Sequence, residues 1–76
     1  MIDLYILESC PYSQKVMEFL EENNIAYNKH DVRQPENYEA LLELGGKGQV
    51  PFLHDKEKDV KMYESDKIID YIKENA

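Results

Sequence analysis

Hydrophobic positions along this chain follow two rhythms, and each change of rhythm marks an element. Ile2 to Leu7 (IDLYIL) is a nearly continuous apolar run, the pattern of a strand covered on both faces. From Pro11 the spacing lengthens: Tyr12, Val16, Phe19 and Leu20, with Met17 alongside, predict a helix that Asn23-Asn24 ends. Ile25 to Val32 alternates at Ile25 and Tyr27 and predicts a second strand. Gln34-Pro35 opens a second helix with Tyr38, Leu41, Leu42 and Leu44 on its inner face, and Gly45-Gly46 stops it. Gly48-Gln49-Val50-Pro51 leads into a short strand at Phe52-Leu53. The polar run Asp55 to Asp59 reads as a turn, with Val60 to Tyr63 as the returning hairpin strand. Ser65 suits an N-cap, and Ile68, Ile69 and Ile72 form the inner face of a last helix.

The order β-α-β-α-β-β-α predicts an α/β fold. A strand, a crossover helix and a second strand imply a parallel pair with a right-handed connection. The hairpin adds antiparallel strands, making a mixed four-stranded sheet flanked by helices. No linker, repeat or low-complexity tract interrupts the pattern, so residues 1–76 are expected to form a single domain.

Composition narrows the possibilities. With 42% hydrophobic residues the chain is globular rather than disordered. Its one cysteine cannot close an internal disulfide, so the chain must fold by packing alone or by binding a partner. A net charge of −7 opposes nucleic-acid binding, which needs a basic surface. No apolar run approaches the roughly 20 residues of a membrane span. The start, Met1-Ile2-Asp3-Leu4-Tyr5, lacks the basic residues and cleavage site of a signal peptide, so a reducing, cytoplasmic setting is expected. No Cys/His set has zinc spacing, and no metal is expected; His30 and His54 are expected at the surface.

The chemistry centres on Cys10, between the first strand and the first helix. A thiol at a helix start lies in the positive end of the dipole and near unpaired backbone N–H groups. Both favour the thiolate, which is the nucleophile. Pro11 suits the first helical position because its missing N–H would be unpaired there anyway. Elsewhere in a cytosolic chain a lone cysteine is most often a small buried hydrophobe; the junction with Pro11-Tyr12 points to function instead.

Three motifs in sequence, Cys10-Pro11-Tyr12-Ser13, Gln49-Val50-Pro51 and Tyr63-Glu64-Ser65-Asp66, fall on three element boundaries. In this the chain resembles glutaredoxin across essentially its whole length. The resemblance implies a thioredoxin-like fold and glutathione-dependent reduction of disulfides or glutathione mixed disulfides. It also implies Cys10 as nucleophile, with Tyr12 flanking the sulfur. Gln49 and Val50 would lie along the glutathione, Val50 offering its backbone ahead of a cis Pro51, and Glu64, Ser65 and Asp66 would hold the γ-glutamyl end. A residue held extended before proline leaves its N–H and C=O free for a peptide-like ligand. A helix N-terminus can hold a carboxylate, and Asp66 can pair with an ammonium group.

Two departures from the family pattern matter. Ser13 stands where a second cysteine is common, and Leu7 where a lysine is common, three residues before the nucleophile. Without a second thiol the dithiol route is closed and the monothiol route remains, with the Ser13 hydroxyl as a donor to the thiolate. Lys15 and Lys47 are candidate replacements for the missing charge. The expected partners are glutathione and glutathionylated or disulfide-containing proteins, and the expected state is a monomer. One alternative is a carrier holding a [2Fe-2S] cluster through Cys10 and glutathione in a dimer; Pro11 removes the slack that such carriers usually have after the cysteine. Another is a glutathione transferase N-terminal domain, which shares the Val-Pro and Glu-Ser features. It is set against by a chain that stops at Ala76 without a helical second domain.

Overall fold

The computed structural model describes residues 1–75 and follows the expected order. The elements are β1 (Ile2–Ile6), α1 (Pro11–Glu22), β2 (Tyr27–Asp31), α2 (Pro35–Gly45), β3 (Phe52–Asp55), β4 (Val60–Tyr63) and α3 (Ser65–Asn75). The sheet runs β2-β1-β3-β4, with β1 parallel to β2, and β3 antiparallel to both β1 and β4.

Pleating sends alternate side chains of β1 to opposite layers. Leu4 and Ile6 join Leu53, Val16, Met17 and Leu20 of α1, and Ile68 and Ile72 of α3, in the larger core. Tyr5 points the other way and packs with Phe52 and with Leu41 of α2. Leu4, Ile6, Leu20, Leu41, Leu53 and Ile68 are wholly buried. Each such side chain stabilises by about 1.5–3 kcal/mol, which is how a chain without a disulfide holds together.

Several expectations shift. The first helix turns Ser13, Val16, Met17 and Leu20 inward, while Tyr12 is 65% exposed. The stripe therefore starts one residue later than the apolar pattern suggests. The second strand is shorter than Ile25 to Val32, because the Ile25 N–H donates to Leu20 O (2.9 Å) at the end of α1. Asn24 turns the chain there at φ 55, a conformation asparagine tolerates. On α2 only Leu41 is fully buried, and Tyr38 and Leu42 are exposed. The core on that side is small, and one helical side chain fills it.

Asp55 is not in a turn. It ends β3, is buried, and accepts a hydrogen bond from the Tyr71 hydroxyl (2.6 Å). Burial and the adjacent carboxylate push the Tyr71 phenol up to about 12, and the same hydrogen bond holds Asp55 below the usual carboxylate range. His54 is not at the surface either. It stands opposite Asp3 and is buried, because both belong to a cross-strand row, Asn28–Asp3–His54–Lys61, on the α2 side of the sheet. His30 is half-buried, its ring stacked on Tyr5 (4.7 Å between centroids) and its Nε2 2.9 Å from Asp3 Oδ1.

Candidate functional site

The turn after β1 sets up the sulfur. The Cys10 N–H donates to Leu7 O (2.9 Å), and Gln14 Nε2 ties the turn by donating to Glu8 O (2.8 Å). Cys10 is extended (φ −84, ψ 121), and its carbonyl accepts from Gln14 N–H (3.0 Å), so it is the N-cap of α1. Its side chain makes no capping bond, and Pro11 follows at the first helical position. Partial burial pushes the thiol up. The N–H groups of Ser13 and Tyr12, and the Ser13 hydroxyl, outweigh it and hold Cys10 below the ordinary cysteine value. No cationic side chain among the described residues contributes to that lowering.

Ser13 is wholly buried, and its Oγ accepts the Leu7 N–H (3.3 Å). With one lone pair engaged by the Leu7 N–H, the hydroxyl still has its proton to donate to Cys10. Ser13→Ala is therefore expected to raise the pH midpoint of Cys10 alkylation by iodoacetamide, which reads the thiolate. At neutral pH the rate should fall roughly 2–10-fold, the scale of one hydrogen bond. An unchanged midpoint would remove Ser13 from the account.

Beside this helix end lies a groove of about 280 Å³ lined by Tyr12, Gln49, Val50, Pro51, Glu64, Ser65 and Asp66. Cys10 does not line it; Tyr12, two residues on, does. The Val50-Pro51 peptide is cis, and the Val50 N–H and C=O pair with none of the described residues. On the opposite wall, the Ile68 N–H donates to Glu64 O (3.0 Å), so Glu64 rather than Ser65 caps α3. Glu64 adopts φ 74, a left-handed conformation costly for a residue with a β-carbon and concentrated at ligand sites. Nothing in Tyr63-Glu64-Ser65-Asp66 signals that conformation. Ser65, one residue into the helix, is buried.

Neither lysine stands in for the missing charge at the sulfur. Lys15 Nζ reaches across from α1 to Asp66 Oδ1 (2.6 Å), and Lys47 Nζ lies 5.7 Å from the centre of the Tyr63 ring. Among the described residues no group of three His, Cys, Asp or Glu is arranged to hold a metal ion. No helix among them is long and apolar enough to cross a membrane.

A mixed sheet in this order, with a cysteine at the first helix start and a cis-proline before the third strand, defines the thioredoxin-like class. Residues 4–76 match the family described as the glutathione S-transferase, N-terminal domain, and the chain belongs to that family. It is 40% identical over 53 residues to glutaredoxin 1 of Rickettsia conorii, a stretch covering 66% of this chain and 52% of the relative. Among solved structures it is similar to glutathione transferase Omega 3C from Trametes versicolor, with a TM-score of 0.82 and 31% identity. That match covers 96% of this chain and 32% of the other. A single-residue variant of the thioredoxin-like protein BC3987 aligns with a TM-score of 0.75 and 26% identity, over 95% of this chain and 99% of the other. The chain thus spans about half of the curated relative and a third of the transferase. Since the family is that of the transferase domain, the position of Ala76 carries no weight against that alternative.

Proposed function

We propose that this domain is a glutathione-dependent thiol–disulfide oxidoreductase that reduces glutathione mixed disulfides by a monothiol route, with Cys10 as nucleophile. The observation that carries it is a half-buried thiol at a helix start, its ionisation favoured by the nearby N–H groups of Ser13 and Tyr12, next to a groove whose Val50 peptide groups pair with none of the described residues. The Cys10 thiolate attacks the glutathione sulfur of a glutathionylated protein. The protein sulfur leaves as a thiolate and takes up a proton, and Cys10 keeps the glutathione as a mixed disulfide. A second glutathione thiolate then attacks that glutathione's sulfur, releasing oxidised glutathione and restoring Cys10. No second protein thiol takes part, and Ser13 serves as a hydrogen-bond donor to the sulfur.

In the groove, Val50 pairs with the cysteinyl backbone in strand fashion, flanked by Gln49 and Pro51. Tyr12 walls the sulfur side. The N–H groups at Ser65 and Asp66 receive the γ-glutamyl carboxylate, and the Glu64 and Asp66 carboxylates meet its ammonium. Turnover of a small glutathione mixed disulfide with glutathione as the sole thiol is the expected result; none would refute the proposal.

The family match favours a second reading, in which this domain supplies the glutathione site of a transferase. Conjugation of glutathione to an electrophile at a rate above that of mixed-disulfide turnover would select it.

A further inference from the structure

From the contacts of its hydroxyl we infer that Tyr63 is a positioning residue that sets the width of the groove by clamping one wall against the other. Tyr63 ends β4, so its own backbone continues directly into Glu64-Ser65-Asp66, the helix-side wall. Its hydroxyl reaches the loop that feeds the other wall, donating to Lys47 O (2.8 Å) and accepting from Lys47 N–H (3.1 Å). One oxygen thus holds both main-chain groups of a single loop residue. That loop leaves α2 through Gly46, left-handed at φ 83, and runs through Gly48 to Gln49-Val50-Pro51. Two glycines make it flexible unless something ties it down.

The ring that carries this hydroxyl is itself held in place. It packs against Phe52 (4.7 Å between centroids) and lies over the end of α2. Gly45 is what lets it lie there, because a β-carbon at that position would run into the Tyr63 hydroxyl and ring. Lys47 returns over the same ring with its ammonium group. The clamp therefore has a fixed base, a fixed reach and one anchor point. Tyr63 does not line the groove, so its effect on ligand passes through the two walls.

The inference rests on the glutathione reading for its kinetic test, but not for its structural one. Tyr63→Phe keeps the ring and removes only the oxygen. With a glutathione mixed disulfide as substrate, KM should rise about tenfold, the scale of losing two neutral hydrogen bonds, while kcat stays within about twofold. The midpoint of Cys10 alkylation should not move, because Tyr63 is not among the groups that set the ionisation of the sulfur. Hydrogen exchange in the 46–50 segment should quicken. A wild-type KM in Tyr63→Phe, or unaltered exchange there, overturns the clamp. Should the wild-type protein show no turnover, the glutathione reading fails, and the exchange comparison alone decides the clamp: faster supports it, unaltered overturns it.

Discussion

Replacing Asp3 by alanine is expected to cost about 2–4 kcal/mol of folding stability. The carboxylate is 2% exposed in the central strand, where an apolar run places it among Ile2, Leu4 and Tyr5. It survives burial because it is paired. Asn28 Nδ2 (3.1 Å) and His30 Nε2 (2.9 Å) meet Oδ1, and the Lys56 ammonium lies 3.3 Å from Oδ2. Alanine removes the acceptor shared by Asn28 and His30 and opens a polar hole beside buried His54, whose Nδ1 already lacks a partner among the described residues. The loss is large against the roughly 4–11 kcal/mol that a chain of this length commands.

The pH dependence of that loss has a definite sign. Burial pushes Asp3 up, but the hydrogen bonds from His30 and Asn28, with the Lys56 ammonium beside Oδ2, hold it below the ordinary aspartate value of 3.8. A depressed carboxylate contributes its full stability above the unfolded value and loses it as pH falls through the folded one. The gap between wild type and Asp3→Ala, measured by urea denaturation, should be widest near neutrality and narrow below pH 3.8. A gap of under about 0.5 kcal/mol at pH 7, the range of ordinary surface changes, would mean that the paired carboxylate is dispensable.

Cys10→Ser is expected to remove mixed-disulfide turnover by on the order of 10³-fold or more, the scale of deleting a covalent nucleophile. A hydroxyl at that position is neither ionised near neutrality nor able to form a disulfide. The substitution should leave the fold intact. Cys10 makes no side-chain capping bond, and serine is a favoured N-cap, so thermal stability should stay level or rise by up to about 1 kcal/mol. Lost turnover with an unchanged melting transition separates chemistry from folding. Residual turnover above a few per cent would place the nucleophile outside this chain's only cysteine.

Periodicity carried the fold a long way. The apolar run of β1, the helical spacing after Pro11 and the glycine stop at Gly46 each correspond to an element in place. The groove-lining residues were also legible, since Tyr12, Gln49-Val50-Pro51 and Glu64-Ser65-Asp66 sit at element ends, where turn chemistry is written in short motifs. What stayed hidden depends on neighbours across the sheet. Asp3 is invisible as a buried charge until Asn28, His30 and Lys56 are brought beside it, and nothing local to any of them predicts that meeting. His54 and Asp55 are buried because of their register against Asp3 and their contact with Tyr71, not because of their own polarity. Tyr12 and Tyr38 look like core in a helical pattern, yet each is exposed, since an aromatic residue fits either environment. The clamp from Tyr63 to Lys47 spans a loop and two elements, and only the folded chain brings its ends together.

The most direct test of the central claim, a sulfur poised at a helix tip beside a peptide-binding groove, is to load Cys10 with glutathione and map the change. Amide chemical shifts of the purified mixed disulfide should move at Tyr12 and Ser13, at Val50, and at Ser65 and Asp66 together. Shifts confined to the neighbours of Cys10, with Val50 and Ser65 unmoved, would show that the tripeptide lies elsewhere and contradict the account.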